Sequence, residues 1–157
     1  MIIENTRFGT IEIEEEKIIT MKRDIPGFLG RKRFVILNRK ESHPFLWYQC
    51  VDDPVLAFVL LNPFLLKPDY SFDLSSILSE MSWQADANAN DGLTIFVIVN
   101  ASSGDPEKMT ANLMAPLVIN TRRFEAIQHI LQDGAYSHKH PIFQEETDTQ
   151  SKLAANV

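Results

Sequence analysis

The sequence predicts a mostly β fold, a closed or folded-over sheet with one short helix. Three observations carry that reading. Val55-Leu-Ala-Phe-Val-Leu-Leu61 and Leu93-Thr-Ile-Phe-Val-Ile-Val99 are nearly continuous apolar runs rich in β-branched and aromatic residues, the pattern of strands buried on both faces. Short apolar runs punctuated by turn residues fill the first third of the chain. Thr110-Ala-Asn-Leu-Met-Ala-Pro-Leu-Val-Ile-Asn120 reads as two extended runs meeting at Pro116, whose ring fixes φ and removes a backbone donor. A central strand cannot pass through that proline uninterrupted. Asn112 and Asn120 stand at the shoulders, where a side-chain amide can satisfy backbone groups that a ladder leaves open.

The elements follow in order. Ile2–Thr6 and the run after Gly9 predict a hairpin, because Ile11 and Ile13 alternate with Thr10, Glu12 and Glu14. That alternation puts branched apolar side chains on one face and carboxylates on the other. Ile18–Met21 supplies a further strand. Ile25-Pro-Gly-Phe28 predicts a type II turn, with Pro26 second and Gly27 at the third position, which requires φ > 0. Phe34–Leu37 is the next strand, and Leu46–Val51 is expected to pair with Val55–Leu61 across Asp52-Asp-Pro54. Asp73 is placed to cap a helix whose Leu74, Ile77, Leu78 and Met81 share one face, ending near Trp83. Ala85–Gly92 reads as a polar loop. Phe124–Leu131 fits either a helix or a strand, and periodicity does not separate the two. From Gln144 onward too few large apolar residues remain to offset ordering entropy, so a mobile tail over 144–157 is expected after one folded domain over 1–143.

At 157 residues, with 45% hydrophobic and 23% charged residues, the chain suffices for one ordinary core. The net charge of −6 disfavours direct nucleic-acid binding, which needs a basic face to displace counterions from phosphates. It favours a basic protein partner instead. Cys50 is the sole cysteine, so no internal disulfide forms, as suits a reducing compartment. No signal peptide and no apolar stretch of roughly 18 residues is seen, so a cytoplasmic protein without a membrane segment is expected.

Catalytic signatures are missing. The glycines form neither a dinucleotide fingerprint nor a phosphate loop, and no Gly-x-Ser-x-Gly elbow occurs. A Cys50 nucleophile with His43 or His129 would make a small hydrolase. Cys50 sits in an apolar strand, however, where a buried inert thiol is the simpler reading. His138 and His140 lack further ligands in register, so neither a metal nor a cofactor is expected. Arg31-Lys-Arg33 reads as a solvated loop. Glu12, Glu14, Glu15 and Glu16 crowd one hairpin edge, either as a charged solvent face or as a docking surface for a basic partner. Asn62-Pro63-Phe64 opens a loop running through Asp69 to Tyr70. Its apolar groups either fold back as core or anchor a partner.

Together these segments resemble the FliW flagellar assembly factor family. The residues that carry the resemblance are Met1-Ile-Ile with Gly9 before a carboxylate-rich strand, Ile25-Pro-Gly-Phe28, and Pro54 with Ala57-Phe58 leading into Asn62-Pro-Phe64. Asp69-Tyr70, Thr110–Asn120 and Pro141-Ile142 complete them, so the likeness spans roughly residues 1–143. It implies an all-β, mainly antiparallel, barrel-like sheet with one short helix, and tips Phe124–Leu131 to strand. It also implies a non-enzymatic protein that binds CsrA, the RNA-binding repressor of flagellin translation, and that binds flagellin itself. Glu12, Glu14, Glu15, Glu16, Asn62, Pro63, Phe64, Asp69 and Tyr70 are then the expected partner-binding residues. A structural flagellar component is the other non-enzymatic reading.

Overall fold

Side chains that alternate along each strand can fill a lumen and a shell at once, provided the sheet closes on itself. The computed structural model describes residues 1–84, 92–102 and 104–143. The tail from Gln144 and the loop expected over Ala85–Gly92 lie outside them, apart from Gly92. The strands are β1 (Ile2–Thr6), β2 (Gly9–Glu12), β3 (Ile19–Met21), β4 (Arg33–Leu37), β5 (Leu46–Cys50) and β6 (Ala57–Leu61). After helix α1 (Ser75–Met81) come β7 (Leu93–Asn100), β8 (Thr110–Ala111), β9 (Leu117–Asn120), β10 (Glu125–Gln128) and β11 (His140–Pro141).

Strands β3 to β7 pair antiparallel in chain order, and β9 joins β7 to β10. β10 then pairs with β3 and closes a seven-strand barrel. This closing pair is parallel; the other ladders among the described residues are antiparallel. Closure matters physically because it leaves these seven strands no open edge.

The lumen is packed by Ile19, Met21, Phe34, Tyr48, Leu60 and Leu117, with Phe34 and Tyr48 stacked at 4.4 Å. Three coverings clad the outside. The β1–β2 hairpin lays Ile3 and Ile13 on Val35. Tyr70 and Leu113 cover Leu61, Val97 and Val99. Ile77 of α1, with Trp83, covers Val118 and Ile127. Strands β6 and β7 therefore read as continuously apolar because one face meets the lumen and the other lies under a covering.

Most elements fall where the sequence places them. Phe28 N–H donates to the Ile25 carbonyl at 2.8 Å, and Gly27 has φ +88°, the geometry of the expected turn. Helix α1 starts at Ser75 with Leu74 in the capping position, so Asp73 stands one residue before the cap rather than at it. From there its carboxylate accepts from Ser75 N–H at 2.9 Å; the helix stops at Ser82, which is left-handed at φ 58°. Within Phe124–Leu131 the central Glu125–Gln128 is strand, with Ile127 opposite Val118, while Phe124 is left-handed at φ 53° and the last three residues lie beyond the strand.

Several strand boundaries shift by one residue, and that of β6 shifts by two. β6 begins at Ala57 rather than Val55, and Val55 is 78% exposed. The buried Gln49 amide donates to the carbonyls of Cys50, Pro54 and Leu56, which stabilises a wider turn and delays the ladder.

The interruption at Pro116 takes a specific form. β8 pairs with Val99–Asn100 and β9 with Leu93–Phe96, so two strands share one edge of β7 while the segment between them bulges out. The Pro116 carbonyl still accepts from His129 N–H at 2.9 Å. Asn112 Oδ1 accepts from Met114 N–H at 3.1 Å. Asn120 Oδ1 accepts from the N–H groups of Arg122 and Arg123 at 3.0 and 3.1 Å. Both amides do the work expected at those shoulders.

Candidate protein-binding surface

The Asn62–Tyr70 loop is built from the end of β6. Asn62 Oδ1 accepts from Phe64 N–H at 2.9 Å and starts a 3-10 turn over Pro63–Leu65. Pro63, at the first position of that turn, is buried, which leaves Phe64 42% and Leu65 59% exposed. Tyr70 ends the loop and is only 3% exposed. Its hydroxyl donates to the Leu113 carbonyl at 2.7 Å, and burial pushes its pKa well above the usual tyrosine value. The Phe64 ring meets Tyr70 edge-on at 6.1 Å.

Of the residues expected here, Asn62, Phe64 and Asp69 reach solvent, whereas Pro63 and Tyr70 are buried supports beneath them. Phe64 packs one side on Tyr70 and turns the other to solvent. A shallow depression of about 450 Å³ adjoins it, lined by Leu93, Ile95 and Phe96. Leu65 belongs to the apolar groups that the sequence already marks in this loop, whereas sequence reasoning missed Leu93 and Ile95. Leu93 and Ile95 lie in a run whose apolar pattern reads simply as core, and only the break in the covering leaves them accessible.

The acidic cluster sits elsewhere. Glu12 ends β2, and Glu15–Lys17 form a 3-10 turn that leads into β3 without burying a residue. Glu12, Glu14, Glu15 and Glu16 are all exposed, and Glu14 lies 3.1 Å from Lys17. An exposed pair of this kind holds each partner weakly and exchanges readily. The acidic turn precedes β3 and the Phe64 turn follows β6, and the antiparallel order of β3 to β6 puts both turns at one end of the barrel with β4 and β5 between them. Thr94 and Phe96 line both the depression beside Phe64 and a cavity beside Lys17.

Other chemistry is muted. Cys50 is fully buried in the barrel, and burial raises its thiol pKa, which disfavours the thiolate a nucleophile requires. Arg31, Lys32 and Arg33 each pair with an aspartate, Asp53 at 3.4 Å, Asp24 at 3.3 Å and Asp52 at 2.8 Å respectively. That basic triplet therefore offers little net positive field. Among the described residues no group of three His, Cys, Asp or Glu side chains could hold a metal ion, and no helix is long and apolar enough to cross a membrane.

The fold and surface define a closed β-barrel scaffold whose exterior carries exposed apolar and acidic residues. The family model described as FliW protein matches residues 2–142. The flagellar assembly factor FliW of Alkaliphilus metalliredigens is 40% identical over 147 residues, covering 92% of this chain and 88% of that protein. That of Bacillus subtilis is 38% identical over 142 residues, covering 90% and 96% respectively. A crystal structure of the flagellar assembly factor FliW superposes with a TM-score of 0.78 at 35% identity, covering 93% of this chain and 99% of the other. This chain belongs to the FliW family of flagellar assembly factors.

Proposed function

We propose that this protein antagonises the translational repressor CsrA and also binds flagellin, so that flagellin synthesis is coupled to secretion by exchange of partners. The observation that carries this reading is the match to the FliW family over nearly the whole chain. When flagellin leaves the cell, the freed protein takes CsrA off the flagellin message and translation resumes. When flagellin accumulates, it occupies the protein and repression returns. The protein acts in the cytoplasm through its exterior, without catalysis, cofactor or direct contact with nucleic acid.

The surface supports this division of labour. A protein that grips RNA carries basic surface, and the exposed carboxylates Glu12, Glu14, Glu15 and Glu16 would steer its approach. Asn62, Phe64, Leu65 and Asp69 offer a second, less polar patch positioned by buried Pro63 and Tyr70. The test is a titration of the protein into CsrA bound to labelled flagellin leader RNA, with flagellin then added as competitor. Release of RNA on the first addition and its rebinding on the second are expected. Failure to bind either protein at micromolar concentration would refute the assignment.

A further inference from the structure

The barrel has one filled end and one open end. At the filled end Phe28 meets Phe58 edge-on at 5.0 Å, and the Phe34–Tyr48 stack lies beside them. At the other end lies a cavity of about 340 Å³ lined by Ile19, Ile36, Leu46, Phe96, Ile119 and Phe124. Ile19 and Ile119 form its buried floor, while Ile36, Leu46, Phe96 and Phe124 are half-exposed around it. The strand directions explain the grouping: Ile19 and Leu46 begin β3 and β5, Ile36 and Ile119 near the ends of β4 and β9, and Phe124 precedes β10. Polar side chains contribute only at the rim, through Lys17, Thr94 and Thr121.

The rim is also where the acidic turn sits. Lys17 lines the cavity and belongs to the turn that carries Glu15 and Glu16, and the Glu14 carboxylate is 3.1 Å from its ammonium. One cation therefore stands among three carboxylates beside an apolar hollow. We infer that this open mouth is a socket for a large apolar side chain carried between basic residues of a partner protein. The inference rests on the protein-binding reading above and names where and how a basic partner docks.

Two features favour that occupant. The cavity is open to solvent and walled almost wholly by apolar side chains, so an apolar group projecting from a partner surface can enter it and lose its contact with water. The excess of carboxylates at the rim complements basic neighbours of the inserted group and opposes an anionic amphiphile such as a fatty acid. Anchors seated in desolvated pockets are the usual sites of concentrated binding energy, and charges around them act mainly on association. Lys17 is then a like charge that the partner must displace from Glu14.

Two measurements test the socket. In the first, methyl resonances of Ile19, Ile36 and Ile119 are followed while a capped lysine-flanked leucine peptide, its glutamate-flanked counterpart and octanoate are titrated separately. Shifts at these methyls with the basic peptide, and roughly tenfold weaker response to the acidic one, are expected. No shift with the basic peptide, or tighter binding of octanoate, overturns the proposal, the latter in favour of a small anionic ligand.

The second measurement uses CsrA and flagellin with the full chain. Thr94→Leu partly fills the mouth and should weaken the basic partner roughly tenfold, whereas Lys17→Ala should speed its association. Leu46→Phe serves in place of the first variant if that one melts early. Wild-type binding that neither filled-mouth variant weakens sinks the socket and leaves the proposed function standing. Wild type that binds neither protein sinks the proposed function, and the peptide titration still decides the socket.

Discussion

Truncating Phe64 separates a partner-binding role from a structural one, because the two predict losses of different size in different assays. Fully burying a phenylalanine side chain stabilises a protein by about 1.5–3 kcal/mol. Phe64 remains 42% exposed, so Phe64→Ala forfeits little more than half of that, about 1–2 kcal/mol including its edge contact with Tyr70. In a domain of this size such a loss lowers Tm by about 2–8 °C and leaves the protein folded at room temperature. The turn itself survives, since Asn62 bonds the backbone N–H of residue 64 and Pro63 is untouched. An aromatic anchor at an interface costs about 2 kcal/mol or more when truncated, which raises Kd roughly thirtyfold. Isothermal titration against CsrA and against flagellin, beside a thermal melt, reads both numbers. Retained affinity for both partners would remove Phe64 from either interface. A melting loss well beyond the stated range would show that the ring is core and that any binding defect is indirect.

Charge reversal at the exposed carboxylates, Glu14→Lys with Glu16→Lys, should slow association with CsrA, most at low salt, and leave dissociation nearly unchanged; stopped-flow rates that ignore ionic strength would eliminate steering. Tyr70→Phe deletes the hydroxyl that donates to the buried Leu113 carbonyl and should destabilise the domain by about 1–3 kcal/mol, measured by urea unfolding, with no loss of accessible partner surface. The fully buried Trp83 indole donates to Glu125 at 3.0 Å and holds that carboxyl below the usual glutamate value near 4.5, with Lys22 at 3.3 Å assisting. A carboxyl depressed in the folded state stabilises it above the unfolded pKa, and that contribution fades as pH falls through the folded pKa. Unfolding free energy should therefore decline on acidification below about 4.5, and Glu125→Gln should flatten that slope; an unchanged slope would refute the coupling.

Local rules made the strands legible because each rule acts within a few residues. Gly27 at positive φ and the amides of Asn112 and Asn120 are read from neighbours in sequence, and each does in the fold what its chemistry suggests. Phe124–Leu131 was not decidable in this way, since its choice depends on Val118 and Met21 lying alongside to receive Ile127 and Ala126. The late start of β6 has the same origin. Val55 belongs to an apolar run, yet the amide that widens the turn before it comes from Gln49 on the preceding strand.

The surface was only half legible, and the reason is geometric. Tyr70 and Phe64 are both aromatic residues of one loop, and nothing in their order says that Tyr70 turns inward to reach Leu113, forty-three positions away, while Phe64 turns out. The acidic turn is visible as composition, but its position beside the barrel mouth is not. That mouth is an absence of packing bordered by side chains drawn from several strands between Lys17 and Phe124, each of which alone reads as ordinary core. A hollow has no sequence motif, because what defines it is the atom that no strand supplies. Closure of β10 onto β3 brings the rim together, because it sets Ile19 and Phe124 side by side across the parallel ladder.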